Sequence, residues 1–139
     1  MERTQAIFRG DRLIQDFGMT LVETRDGYAK VSVVVADRFL NAHRIGHGVL
    51  LFAVADAAFA LAVNAARDAV GVQWSLNAFR AAQLGETVFG EAAVIHTGRQ
   101  SLVCELTVTA GDGRTLARGQ ATALPVTPAA LASRKTNAE

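Results

Sequence analysis

The sequence predicts an α+β domain in which one antiparallel sheet curls around one buried helix. Three observations carry this. From Val49 to about Ala66 nearly every residue is apolar and helix-compatible, with many alanines. A helix that is apolar all round has to be buried on most sides. Four long β-rich runs follow, joined by turn-like links, which reads as an antiparallel meander. A sheet of that size needs a cover for its apolar face, and the long helix is the element available.

The elements follow in order. Gln5 to Phe17 places Ile7, Phe8, Leu13, Ile14 and Phe17 among charges, a spacing that predicts a short amphipathic helix. Met19 to Thr24 and Tyr28 to Val35 are β-rich, and Arg25-Asp26-Gly27 between them is a hairpin signal. Asp37 to Asn41 fits a single helical turn, and a polar, glycine-bearing loop runs from Asn41 to Gly48. The strands of the meander are Ala69 to Phe79, Thr87 to His96, Leu102 to Ala110 and Thr115 to Leu124. Pro125 and Pro128 end the pattern, and the tail from Ala129 to Glu139 is polar and expected to fray. The whole of 1–139 is expected to be one domain with its core in about 17–124.

Composition narrows the function. With 139 residues, half of them hydrophobic and 19% charged, the chain is expected to bury a core without staples. Lys and Arg number 14 against 13 Asp and Glu, a net charge of +1, which argues against a nucleic-acid partner. A single cysteine, Cys104, excludes an intramolecular disulfide and favours a cytoplasmic location; in its strand it reads as a small buried residue. Three scattered histidines lack the spacing of a metal site. The longest apolar stretch, Val49 to Val63, is shorter than the ~20 residues of a membrane span and carries Asp56 at its centre. So apolar a chain is expected to hide part of its surface between copies of itself.

Asp56 is the charged residue of that helix. An unpaired buried carboxylate is costly and its pKa tends to rise. Two readings stand side by side: an Asp satisfied by backbone amides or a polar neighbour, or a general base or nucleophile. Gly48 lies where the helix begins, and the first amides of a helix have no intrahelical partners. With the macrodipole they can hold an anion or a polarised carbonyl, although a simple cap or tight turn explains a glycine there equally. The eight residues from Gly48 to Asp56 span about 12 Å of helix axis. Both can serve one reacting atom only if two such helices meet across a twofold axis, which predicts a site shared by a dimer.

Leu40-Asn41-Ala42-His43-Arg44-Ile45-Gly46-His47-Gly48, then Val54-Ala55-Asp56-Ala57-Ala58-Phe59-Ala60 and Asn64, resembles the hotdog-fold thioesterases, in the PaaI-like acyl-CoA branch associated with phenylacetate degradation. Phe79-Arg80, Leu84-Gly85-Glu86-Thr87, His96-Thr97-Gly98-Arg99 and Gly113 to Gly119 follow in the order that family shows. The resemblance covers roughly residues 17 to 124. It implies a hotdog fold and hydrolysis of acyl-CoA, aromatic or short to medium chain, with no cofactor beyond the coenzyme A of the substrate. It implies Asp56 as nucleophile or general base and the Gly48 amide as oxyanion hole. Asn41 would place the water or carbonyl, and His47 would shape the loop. Ala78 to Gln83, which includes Arg80, Ala81, Ala82 and Gln83, would contact coenzyme A, as would His96, Gly98, Arg99 and Gln100. Arg80 and Arg99 would meet phosphates. Family members assemble as dimers of dimers.

The chain departs from the family pattern in places. Val49 stands where a second glycine is usual, and would narrow the acyl pocket. Gly71 stands where some relatives carry a water-holding hydroxyl, and Gln73 or Ser75, on the same strand face by simple alternation, are the substitutes at hand. Ala60 stands where another branch has threonine. Trp74 and Phe79 read as core, Asn64 as satisfying a backbone group, and His43 as exposed. Two other functions fit the same features. A hydratase or dehydratase acting on acyl-CoA would bring a histidine near the acid, and a non-catalytic acyl-CoA binder would bind without turnover.

Overall fold

The computed structural model describes residues 2–127; Pro128 and the polar tail lie outside them. Two short helices open the chain, α1 (Glu2–Gly10) and α2 (Arg12–Asp16). The sequence predicts one helix here. It breaks because Asp11 is extended and its side chain accepts the Ile14 backbone N–H at 3.0 Å, capping a new helix start. Ile14 is thereby buried in the core, and Ile7, Phe8 and Phe17 pack against that core.

Strands β1 (Thr20–Arg25) and β2 (Tyr28–Val34) form the expected hairpin. Arg25 pairs with Tyr28, so Asp26-Gly27 is the whole turn, and Gly27 takes the left-handed φ of +71° that its lack of Cβ allows. A 3-10 turn (Asp37–Phe39) and the polar loop lead into α3 (Gly48–Val63). Strands β3 (Ala69–Ala78), β4 (Thr87–Thr97), β5 (Leu102–Ala110) and β6 (Thr115–Pro125) complete the fold.

The sheet runs β1-β2-β4-β5-β6-β3, each neighbour antiparallel. The expected four-strand meander therefore holds only for β4 to β6. Helix α3 crosses the concave face and delivers β3 to the far edge, where it pairs with β6 and leaves its other edge open. Period-two burial is clear in β5, where Leu102, Cys104, Leu106, Val108 and Ala110 face inward between half-exposed neighbours. Burial pushes the Cys104 thiol up to about 12, as expected for an inert core residue.

Helix α3 lies against β2, β4 and β5. The α3 and β4 backbones meet closely at Gly90 of β4, where a β-carbon would overlap the Val54 carbonyl. The helix stops at Val63, earlier than the composition alone predicts. Asn64 ends it: Nδ2 donates to Ala60 O (2.8 Å) and Ala69 O (3.0 Å), and Oδ1 accepts from Ala69 N (2.9 Å). The helix is buried as expected on all but one stripe. Val49 and Phe52 are exposed and Asp56 and Ala60 half-buried, the i, i+3, i+7, i+11 spacing of a single helix face. No described helix is long and apolar enough to cross a membrane.

Candidate active site

The loop before α3 is built by its own backbone. Asn41 donates its N–H to Ile45 O (2.8 Å), and its Oδ1 accepts from His43 N (2.9 Å). That asparagine turn lets Arg44 adopt φ +65°. Gly46 donates to Ala82 O at 2.7 Å, and a β-carbon on it would sit 2.9 Å from that oxygen. His47 donates its N–H to Phe39 O (2.8 Å), and its Nδ1 accepts the Val49 N–H (3.0 Å), so His47 is the N-cap of α3. Its Nδ1 thus holds the helix start, which is the loop-shaping place expected of it.

This capping has a chemical result. Val49 and Leu50 N–H are taken by His47, while the Gly48 N–H meets no acceptor among the described residues. Gly48 is exposed, and the space where a side chain would stand is open. An N–H at the positive end of a 16-residue helix, with no acceptor among the described residues, is able to donate to an anionic or polarised oxygen. Beside it runs a groove of about 260 Å³, lined by Asn41, Gly46, Gly48, Phe79, Arg80 and Ala81 among others. A second, mainly apolar groove of about 220 Å³ lies on the other side of His47 and Val49, with Phe17, Arg38 and Phe39.

Asp56 stands two turns further along the same open stripe. Burial holds its carboxyl above the ordinary carboxylate range; the indole N–H of Trp74 pulls it back down and the charge of Asp11 pushes it up. Trp74 Nε1 donates to Asp56 Oδ1 at 2.7 Å. The indole lies beside Phe52 and Phe59, with ring centroids 6.1 and 6.2 Å away.

The partner of Asp56 differs from the sequence expectation. Gln73 and Ser75 do not share a face with Gly71. A bulge at Val72 inserts one residue: Gly71 pairs with Ala123 and Gln73 with Thr122. Trp74 then stands opposite the buried Ala121 on the inner face with Gly71, while Gln73 and Ser75 oppose Thr122 and Gln120 on the outer one. Trp74 and Phe79 are not core in this chain; they are 36% and 58% exposed, at the open edge beyond the sheet's cover. Trp74 is thus the site residue that sequence reasoning missed. A bulge leaves no mark in hydrophobic alternation, and a tryptophan among apolar residues reads as packing.

The remaining candidates fall into two groups. Arg80 and Ala81 are at the Gly48 groove; Gln83 is exposed in the adjoining turn. Ala82 is fully buried and serves as the acceptor for Gly46, so it is a packing residue. His96 lies near the end of β4, paired with Val103, and Gly98, Arg99 and Gln100 form the β4–β5 turn, where Gly98 donates to Ser101 O (2.8 Å) and accepts from Arg67 (3.1 Å). The structure does not bring the two groups together in one chain. Ala78 is level with Ala117 and the turn is level with Ala123 on β6, six residues or about 20 Å apart.

Comparison with known proteins identifies the fold and the family. The model of the thioesterase superfamily matches residues 43–117. A curated relative from Archaeoglobus fulgidus is 34% identical over 96 residues, 68% of this chain; the chain spans 62% of that protein's length. The acyl-coenzyme A thioesterase PaaI of Escherichia coli K12 is 29% identical over 117 residues, 84% of each chain. The solved structure of E. coli PaaI, from its phenylacetic acid degradation operon, superposes with a TM-score of 0.88 at 27% identity, covering 91% of this chain and 92% of that one. A Streptococcus mutans protein solved with acetyl-CoA bound superposes with a TM-score of 0.74 at 28% identity, over 78% and 88% of the two chains. The curved six-stranded sheet wrapped on one long helix is the hotdog fold, and the chain belongs to the thioesterase superfamily as a PaaI-like member.

Proposed function

We propose that this chain hydrolyses acyl-CoA thioesters, aromatic or short to medium chain, to the free acid and coenzyme A, at a site shared by two copies. The observation that carries the reading is the single open stripe of α3, which holds a free Gly48 N–H at one end and a half-buried carboxylate at Asp56. Their separation of about 12 Å along the axis calls for a second chain. The likeness to E. coli PaaI and to the acetyl-CoA-bound S. mutans protein supports the substrate class.

The open edge of β3 supports the assembly. An unpaired strand edge is a template for another strand, and exposed Val72, Trp74, Phe79, Val49 and Phe52 surround it. Antiparallel pairing of two β3 edges about a twofold axis sets the Gly71 end of one chain beside the Ala78 end of the other. The β4–β5 turn with Arg99 then approaches the partner's Gly48 groove and its Arg80, so the two candidate groups for coenzyme A converge. Pairs of such dimers complete the expected tetramer.

In the reaction the Gly48 N–H of one chain polarises the thioester carbonyl. Asp56 of the other either attacks the carbonyl carbon, giving an acyl-aspartyl anhydride that water then opens to the free acid and Asp56, or takes a proton from a water that attacks the carbonyl directly. The C–S bond breaks, the thiolate of coenzyme A takes a proton, and the acid leaves. No cofactor is needed. An indole rather than an imidazole on the acid favours hydrolysis over hydration. The test is thiol release from a panel of aromatic and aliphatic acyl-CoAs, wild type beside Asp56→Asn. Turnover that collapses in the variant while coenzyme A still binds is the expected result; wild type that binds but never turns over would make the chain a binder.

A further inference from the structure

We propose that Trp74 is the positioning residue of the candidate acid: its indole N–H holds one carboxylate oxygen of Asp56, so that the other is presented to the substrate, and Gly71 is glycine because the indole occupies its side-chain space. The inference rests on Asp56 being the reacting carboxylate.

Three observations converge on it. The contact is a direct one, Nε1 to Oδ1 at 2.7 Å, from a group that can only donate. The backbone is shaped for it, since the bulge at Val72 turns Trp74 to the inner face above Gly71. The space is shaped for it too. A β-carbon at Gly71 would overlap the indole and come within 2.8 Å of Phe59. Phe59, nearly perpendicular to the indole at 82°, and Phe52, tilted at 56°, both pack against it and restrain the direction of its N–H. The site that lacks a hydroxyl at Gly71 thus keeps a hydrogen-bond donor on the acid, supplied three residues later.

The chemistry follows from the donor's position. A carboxylate fixed through one oxygen cannot rotate freely, so the second oxygen is held in an orientation where it can attack or accept a proton. The bond also favours the ionised form that either role requires. The other charge acting on Asp56 is Asp11, at the start of α2, which Trp74 does not touch.

The chain has a single tryptophan, so its 15N-labelled indole gives one N–H resonance. In the wild type that resonance should shift with pH along one titration curve, its midpoint matching the acid limb of kcat, and the curve should vanish in Asp56→Asn. Kinetically, Trp74→Phe should lower kcat about ten-fold, the loss of one hydrogen bond to a charged group, with KM little changed. Its acid limb should move to higher pH. Gly71→Ala, which displaces the indole without altering it, should reproduce that pattern.

An indole resonance that ignores pH, or titrates equally in Asp56→Asn, overturns the proposal on folded protein. So does Trp74→Phe with raised KM, unchanged kcat and an unmoved limb, which would make the indole a wall of the pocket. Full activity of Asp56→Asn would instead remove the catalytic carboxylate itself, so the two failures are told apart.

Discussion

Asp56 takes a neutral donor as its partner, and the charge that acts on it is another carboxylate. Its pKa is raised from 3.8 mainly by burial, so the protonated form is favoured in the fold relative to the unfolded chain. Two consequences follow with definite sign. Activity that needs the ionised carboxylate is lost as pH falls through the raised value, so the acid limb of kcat should lie above the ordinary carboxylate range. Stability moves the other way. Between the unfolded and folded values the native state binds more protons, and stability declines as pH rises through that window. Asp56→Asn should therefore raise Tm at neutral pH while abolishing turnover, with the gain fading as the pH is lowered; calorimetry at two pH values checks both. Gly48 allows a test of the amide itself. Proline fits the first position of a helix and the extended His47 before it (φ −63°, ψ 140°), with open space around it. Gly48→Pro should keep the fold and cut kcat by about 10²–10³ by removing one N–H.

Helix α3 carries the site because its start is capped and its middle is clamped. His47 supplies the cap through a side chain and a carbonyl together. His47→Ala should cost about 1 kcal/mol of stability in urea unfolding, the usual worth of an N-cap. The clamp is Gly90, where the β4 backbone meets the α3 backbone around Val54. Gly90→Ala pushes main chain against main chain, which neither element can relieve by a rotamer change. It should cost about 3 kcal/mol, read as a lower denaturation midpoint at constant slope. The contrast between these two elements explains what patterning could reveal. The alanine-rich run announces a buried helix, and the inward row of β5 alternates faithfully. The break at Asp11 and the bulge at Val72 are single-residue events that alternation averages away.

For the assembled molecule, a site divided between chains makes a prediction that one-chain sites do not. Asp56→Asn and Gly48→Pro proteins, each inactive, should recover activity when mixed and allowed to exchange subunits. Half the dimers are then hybrids with one intact site of two, so about a quarter of wild-type activity returns. Sites contained within one chain would return none. In one chain the Ala78 end of β3, which leads to Arg80, and the β4–β5 turn that carries Arg99 are about 20 Å apart along the sheet. The proposed pairing of two β3 edges would bring Arg80 of one chain towards Arg99 of the other.

Composition and pattern alone determine the α+β class, the buried helix and the strands that wrap it, because burial writes its period directly into the order of apolar residues. They single out Asp56 as well, since a lone carboxylate in an apolar helix stands against its surroundings. The free amide of Gly48 is legible only as a possibility, for whether a helix-start N–H is used depends on the side chain that caps it. The place of β3 at the far edge, the capping role of His47, the burial of Ala82 and the indole on Asp56 come from the folded chain. Each depends on residues far apart in sequence meeting at a distance of one hydrogen bond, and on a bulge that reverses which side of a strand faces the helix. Local periodicity cannot encode a choice that is made between strands.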